Sequence, residues 1–241
     1  MKVYTYQHDY PNSHNEWARQ IWLWKQSWAA HGFEPVVLSQ ADAEKHVLYP
    51  ELSEIVRAYP TLNDRTYEHA CFVRHLAFDL AGAQLISDYD VIFDPRAERA
   101  AERVRASIEA ACGALTPVSL DDGGNISLAV FPGGCFTPLI YAILNADLVA
   151  AKYHELAGAP HISDMLVFML GVERVVRTGT SDTLHNLRRR WRQDEPMLDA
   201  PRHRYPLIHV NNDSRNALGF GPLSKSILMG QIVKGERNIF V

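Results

Sequence analysis

Short apolar runs and amphipathic stretches take turns along the first half of the chain. Val3 to Tyr6 is strand-like, and the turn-forming His8-Asp9-Tyr10-Pro11-Asn12-Ser13 follows it. Trp17, Ile21, Trp24 and Trp28 then recur at helical spacing, which predicts a helix over 15–31 with a single apolar stripe. Gly32 supplies a stop, Glu34 to Leu38 reads as a second strand, and Ser39 is placed to cap a helix starting near Ala41. Pro50, Pro60 and Asn63 break the pattern between 47 and 63, which predicts a short helix and a connecting loop. Asp64 or Thr66 can cap a helix running to about Leu80, Gly82 closes it, and Gln84 to Ser87 is the next strand. Helices are expected over 96–111 and 137–151, and strands over 127–131 and 207–210. The stretch 183–206 is rich in Arg, His and Pro without a clear period, the mark of an extended or mobile segment and a candidate lid or insertion.

Strands alternating with helices predict an α/β fold with a mainly parallel sheet flanked by helices. A chain of 241 residues can bury a substantial core without metal or disulfide staples, and one domain is expected over 1–241. Cys71, Cys112 and Cys135 are an odd set without close spacing, which argues against a disulfide framework or a thiolate zinc site. A net charge of −4 excludes the global positive field that holds nucleic acid. The N-terminus lacks a signal-like apolar region, and no apolar stretch approaches the about 20 residues of a spanning helix. A cytoplasmic protein is the expectation.

The most informative stretch is Leu85-Ile86-Ser87-Asp88-Tyr89-Asp90-Val91-Ile92-Phe93, an apolar run interrupted by two acids. On an extended chain the side chains at i and i+2 face the same way, so Asp88 and Asp90 can present both carboxylates to one point. Two hard oxygen ligands suit Mg²⁺ or Mn²⁺, which takes further ligands from phosphates. An isolated D-x-D also fits the merely polar end of a strand. Acids embedded in apolar sequence carry a desolvation cost, however, unless they are paired or metal-bound.

The helix, turn, strand and acid pair from Ala70-Cys71-Phe72-Val73-Arg74-His75 through Gly82-Ala83-Gln84-Leu85-Ile86-Ser87-Asp88-Tyr89-Asp90 resemble the corresponding block of GT-A-fold glycosyltransferases, in particular the family with a sugar-binding region containing a DXD motif. Where that family has Gly-Gly in the turn, this chain has Gly82-Ala83. The resemblance implies a single GT-A-like, Rossmann-like domain whose residues 1–95 bind the nucleotide sugar and whose residues 96–241 face the acceptor. It implies a metal-dependent transferase moving a sugar from a nucleotide diphosphate sugar to a glycan or other hydroxyl acceptor. Tyr6, at the end of the first strand, would belong to the part that holds base and ribose. Asp88 would lie near ribose and metal, and Asp90 would bind the Mn²⁺ or Mg²⁺ directly. Arg74 would neutralise phosphate, although helix spacing equally allows it to pair with Glu68 or Asp79.

His209, flanked by apolar strand residues, is a candidate further metal ligand or an ordinary structural histidine. Asp164, ahead of an apolar helix, is either an acceptor-facing catalytic acid or an N-terminal helix acid. Asp121-Asp122-Gly123-Gly124-Asn125 reads first as a tight turn and second as an active-site loop. Arg188-Arg189-Arg190-Trp191-Arg192 offers either a solvated face or a patch for an anionic acceptor or peripheral membrane contact. Two rival functions are a nucleotide-binding GT-A-like protein without turnover and a phosphatase of the haloacid dehalogenase type. The latter usually carries its D-x-D after the first strand.

Overall fold

The computed structural model describes residues 1–8, 14–121, 126–171, 180–183, 205–210 and 225–234. Its centre is β1 (Lys2–Gln7), whose Val3, Tyr4, Thr5 and Tyr6 are all buried, as an interior strand covered on both faces requires. β1 pairs in parallel with β2 (Glu34–Ser39) on one side and with β3 (Leu85–Ser87) on the other. Beyond β3 the sheet turns antiparallel through β6 (Leu128–Val130) to β5 (Val118–Ser119), giving the order β2-β1-β3-β6-β5. A second sheet, ordered β4-β8-β7, joins β4 (Val91–Phe93), β8 (Leu207–His209) and β7 (Ser181–Thr183). The mixed sheet flanked by helices is an α/β architecture, as expected from the sequence. No helix among the described residues is long and apolar enough to cross a membrane.

The expected stretch around the two acids divides between the sheets. Asp88-Tyr89-Asp90 is a turn, with Val91 N donating to Asp88 O at 3.0 Å, and it carries the chain from β3 into β4. Period-2 alternation therefore does not align the two carboxylates; the turn does. It is pinned on both sides, by Asp88 N to Ser127 O (2.7 Å) and by Val210 N to Asp90 O (2.9 Å).

The helix α1 (His14–Ala30) lies against this junction. Its stripe buries Ile21, Trp24 and Trp28, whereas Trp17 is only half-buried and Trp22 is exposed. Trp24 Nε1 donates to Ser87 Oγ (3.2 Å), Trp28 Nε1 to Val91 O (3.0 Å), and Phe93 N to Ser27 Oγ (2.9 Å). The aromatic stripe is thus core packing that also fixes the ends of β3 and β4. α9 (Lys225–Val233) closes over α1 and the second sheet through Leu23, Ile92, Ile208, Leu228 and Met229.

Ser39 caps α2 (Gln40–Ala43) in a reciprocal box with Asp42, and α3 (Tyr49–Ala58) is the short helix expected among the prolines. α4 (Arg65–Leu80) begins at Asp64, whose carboxylate accepts from Thr66 N and Tyr67 N, and ends at Gly82 with φ +59°. Two expected helices come out differently. α5 (Ala100–Cys112) starts four residues later than expected, because Asp94 ties down Arg96 N and Ala97 N in a turn and Arg99 adopts φ 52°. The helix over 137–151 breaks at Asn145, which donates to Tyr141 O, into α6 (Thr137–Leu144), a 3₁₀ turn Ala146–Val149 and α7 (Ala150–Ala157). α8 (Asp164–Gly171) follows. Of the segment 183–206, only Thr183, Tyr205 and Pro206 lie within the described residues; Arg188 to Arg192 and Asp122 to Asn125 lie outside them.

The turn Pro132-Gly133-Gly134 abuts the α4 terminus, and a Cβ on Gly134 would stand 2.7 Å from Gly82 O, whereas one on Gly133 meets nothing. Both glycines have φ near +70°. Gly133→Ala is expected to cost only the about 1–2 kcal/mol of left-handed backbone. Gly134→Ala should cost clearly more. Thermal unfolding of the two variants measures the difference, at about 2–4 °C per kcal/mol for a chain of this size.

Candidate functional site

A cleft opens above the carboxyl end of β1 and the 88–90 turn, where ligand crevices of open α/β sheets form. Tyr6, Trp17, Tyr67 and Tyr89 supply its aromatic walls, with the rings of Trp17 and Tyr89 5.8 Å apart. Arg74, Asp88, Asp90 and Lys225 supply its charge. The Tyr6 hydroxyl is buried with no hydrogen-bond partner among the described residues, and burial raises its pKa. Cys71 is half-buried and lines the cleft. A wider depression along α3, lined by Tyr49, Ser53, Glu54 and Arg57, lies open to solvent and carries no cluster of three metal-ligating side chains among the described residues.

Two charge networks floor the cleft. In the first, Arg74 on α4 bridges two acids. Nη1 donates to Asp88 Oδ1 at 2.8 Å, and Nε and Nη2 donate to Asp164 Oδ2 at 3.1 and 2.7 Å. Glu68 and Asp79, the partners that helix spacing allowed, are engaged elsewhere: Glu68 with Asn63 and Thr61, and Asp79 with His46 and Phe136 N. His75, fully buried one position on, places Nε2 3.1 Å from the same Asp164 oxygen. An ionised carboxylate only accepts, so His75 carries its proton on Nε2. Burial raises the Asp164 carboxyl, but Arg74 and His75 outweigh it and hold the pKa below the usual range. Burial lowers His75 and keeps it neutral. Asp164 does stand in the first turn of α8, as one sequence reading had it, and it is also tied into the site.

The second network is a row of alternating charges. Asp121 Oδ2 stands 3.7 Å from His209 Nδ1, His209 Nε2 stands 3.5 Å from Asp90 Oδ1, and Asp90 Oδ2 stands 2.5 Å from Lys225 Nζ. Burial pushes Asp90 up, yet Lys225 and His209 reverse the shift and keep it ionised. Loss of solvent raises Asp88; Arg74 opposes the shift and the Asp90 charge adds to it. Burial disfavours the imidazolium of His209, but Asp90 and Asp121 overcome it and raise the pKa.

Asp88, Asp90 and His209 each offer a ligand atom, all within 4.8 Å of one another. Two carboxylate oxygens and one imidazole nitrogen form a donor set that a hard or borderline divalent ion accepts with coordination positions left over. The sequence missed Lys225 and His75. Lys225 opens a helix and has no motif around it in the sequence. His75 was visible only as one of 11 histidines, without the partner that distinguishes it. Asp121 was in view, though as a turn residue.

A family model described as a domain of unknown function (DUF8765) matches residues 2–103, a span that holds Arg74, Asp88 and Asp90 and omits Asp121, Asp164, His209 and Lys225. No curated protein matches the chain. The chain is similar to a solved structure described as the galactosyltransferase LgtC in complex with donor and acceptor sugar analogs, at 11% identity and a TM-score of 0.46, covering 97% of this chain and 95% of that one.

Glu68, on α4 and 4% exposed, borders the first network. Burial raises its carboxyl from 4.5 to about 7, although Asn63 Nδ2 donates to it at 2.7 Å. The folded state therefore holds this proton more tightly than the unfolded chain does. The associated stability is complete below about pH 4.5 and is lost as pH rises to about 7. Glu68→Gln keeps the acceptor oxygen and removes the titration. The melting temperature of the variant relative to the native chain should climb by several degrees between pH 5 and pH 7.5; a constant difference would contradict the assignment.

Proposed function

We propose that this chain is a metal-dependent glycosyltransferase that moves a sugar from a nucleotide diphosphate sugar to a hydroxyl acceptor such as a glycan. The observation that carries the reading is the convergence of Asp88, Asp90 and His209, with the two acids lining an aromatic cleft beside the cations Arg74 and Lys225. Acids grouped with cations suit a ligand that brings both a divalent ion and a negatively charged group, and a metal–diphosphate has that chemistry. The aromatic walls suit the flat, apolar faces of a base, and the unpaired Tyr6 hydroxyl is free to donate to base or ribose.

Asp88, Asp90 and His209 would hold Mn²⁺ or Mg²⁺. Once bound, the ion supplies Lewis-acid stabilisation of the diphosphate leaving group. Within the chain, Arg74 stays charged because Asp164 and Asp88 outweigh its burial, and its fork is fixed by Asp164. Arg74 would thereby present a pre-aimed cation to phosphate without reorganising. Lys225 stands ready on the other side of Asp90 as a second cation. Asp164 retains a place in the proposal in a changed role. One of its oxygens takes three donors and its pKa is depressed, which makes it a poor proton acceptor and a strong anchor for Arg74.

The Lys225–Asp90 contact supports a second reading, in which the ammonium serves in place of an ion and the chain binds nucleotide without turnover. Thermal shifts with UDP, GDP, CDP and ADP and their sugars, each with and without Mn²⁺, separate the two readings. A response that needs nucleotide and cation together favours the transferase. Equal responses without Mn²⁺ favour the second reading. Asp90→Asn should abolish the Mn²⁺-dependent part of the shift while the protein still folds; a native response in that variant would remove the proposed ion site.

A further inference from the structure

Asp121 is a fully buried carboxylate on the Nδ1 side of His209, opposite the Nε2 that stands near Asp90. We propose that Asp121 is the positioning residue for His209: its carboxylate holds the imidazole proton on Nδ1 and so presents the Nε2 lone pair to Asp88 and Asp90. The inference rests on reading those three residues as a divalent-cation site.

Three observations carry it. The first is directional. An imidazole can bind an ion only through the nitrogen that bears no proton, and the partner of the other nitrogen decides which one that is. His209 lies between two carboxylates on opposite nitrogens, Asp121 Oδ2 at 3.7 Å from Nδ1 and Asp90 Oδ1 at 3.5 Å from Nε2. Asp90 is a member of the ligand trio and Asp121 is not, so the arrangement sorts the nitrogens by role.

The second observation concerns charge. Asp90 and Asp121 are both buried and stand beside one imidazole. With a divalent ion on the Asp90 side, a neutral His209 would keep its one N–H on the side of Asp121, where a buried carboxylate is the matching acceptor.

The third is rigidity. Asp121 follows β5, and its backbone is held at both polar groups: Asp121 N donates to Ser119 Oγ and Ser119 Oγ donates to Asp121 O, each at 3.2 Å. Leu120 N donates to Leu128 O at 2.8 Å and keeps this edge on β6. His209 sits in the second sheet, paired with Val91. Asp121 therefore reaches the histidine from one sheet to the other, from a fixed base.

The test is a Mn²⁺ titration of the full chain followed by the paramagnetic resonance of free Mn²⁺, for the native protein, Asp121→Asn, His209→Ala and the double variant. Asp121→Asn should weaken Mn²⁺ binding by about 10–100-fold, the usual effect of losing such a partner. In the His209→Ala background the same change should add nothing, because the residue acts through the ring. Equal weakening in both backgrounds, or native affinity in Asp121→Asn, overturns the proposal while leaving the ion site standing. A native chain without Mn²⁺ affinity overturns the ion site and this proposal together. A second measurement does not depend on the folding of any Asp121 variant. Imidazole ¹⁵N spectra of the native chain with Mg²⁺, in which His209 is assigned by difference from His209→Gln, should show the Nδ1–H tautomer. An Nε2–H tautomer refutes the role.

Discussion

Carboxylates that have left water set the terms for this molecule. Asp90, Asp121 and Asp164 are each less than a tenth exposed, and an isolated buried charge is too costly to persist. Each is met by a cation or an N–H donor brought from a distant part of the chain: Lys225 and His209 for Asp90, His209 for Asp121, Arg74 and His75 for Asp164. Much of the fold serves to deliver those partners. α4 carries Arg74 and His75, β8 carries His209, and α9 is seated on α1 and the second sheet so that its first residue meets Asp90.

The aromatic stripe of α1 and the acidic turn are parts of one construction. Trp24 and Trp28 pack in the core and also spend their indole N–H groups on Ser87 and on Val91 O, on either side of the two acids. With Ser127 O and Val210 N holding the turn from the remaining directions, the carboxylates are set by backbone geometry. Such preorganisation fixes the two carboxylates before any ligand arrives.

What could be read from the sequence follows from how local each signal is. The α1 stripe, the Ser39 and Asp64 caps and the Gly82 stop are decided within a few residues, and each stands where its pattern put it. The helix over 137–151 was overread because a side chain-to-backbone bond at Asn145 competes with helix continuation, and apolar spacing does not record that. The pairing of Asp88 with Asp90 was visible, but its cause was not: alternation along a strand suggested it, whereas a turn between two sheets produces it. Arg74 was seen, though not its partner, since Asp164 lies 90 positions away. Lys225 and His75 carry no local mark at all. Their meaning comes from tertiary contacts alone.

The division of the site along the polypeptide bears on how the chain reaches its final form. The acids at 88 and 90 lie far ahead of His209 and Lys225, and α9 is the last described element in chain order. Contacts between residues so distant in sequence form slowly. Without β8 and α9, Asp88 and Asp90 would face each other lacking the imidazole and the ammonium that stand beside Asp90. A polypeptide cut short of those two elements would therefore keep the acids and lose two of the groups gathered around them.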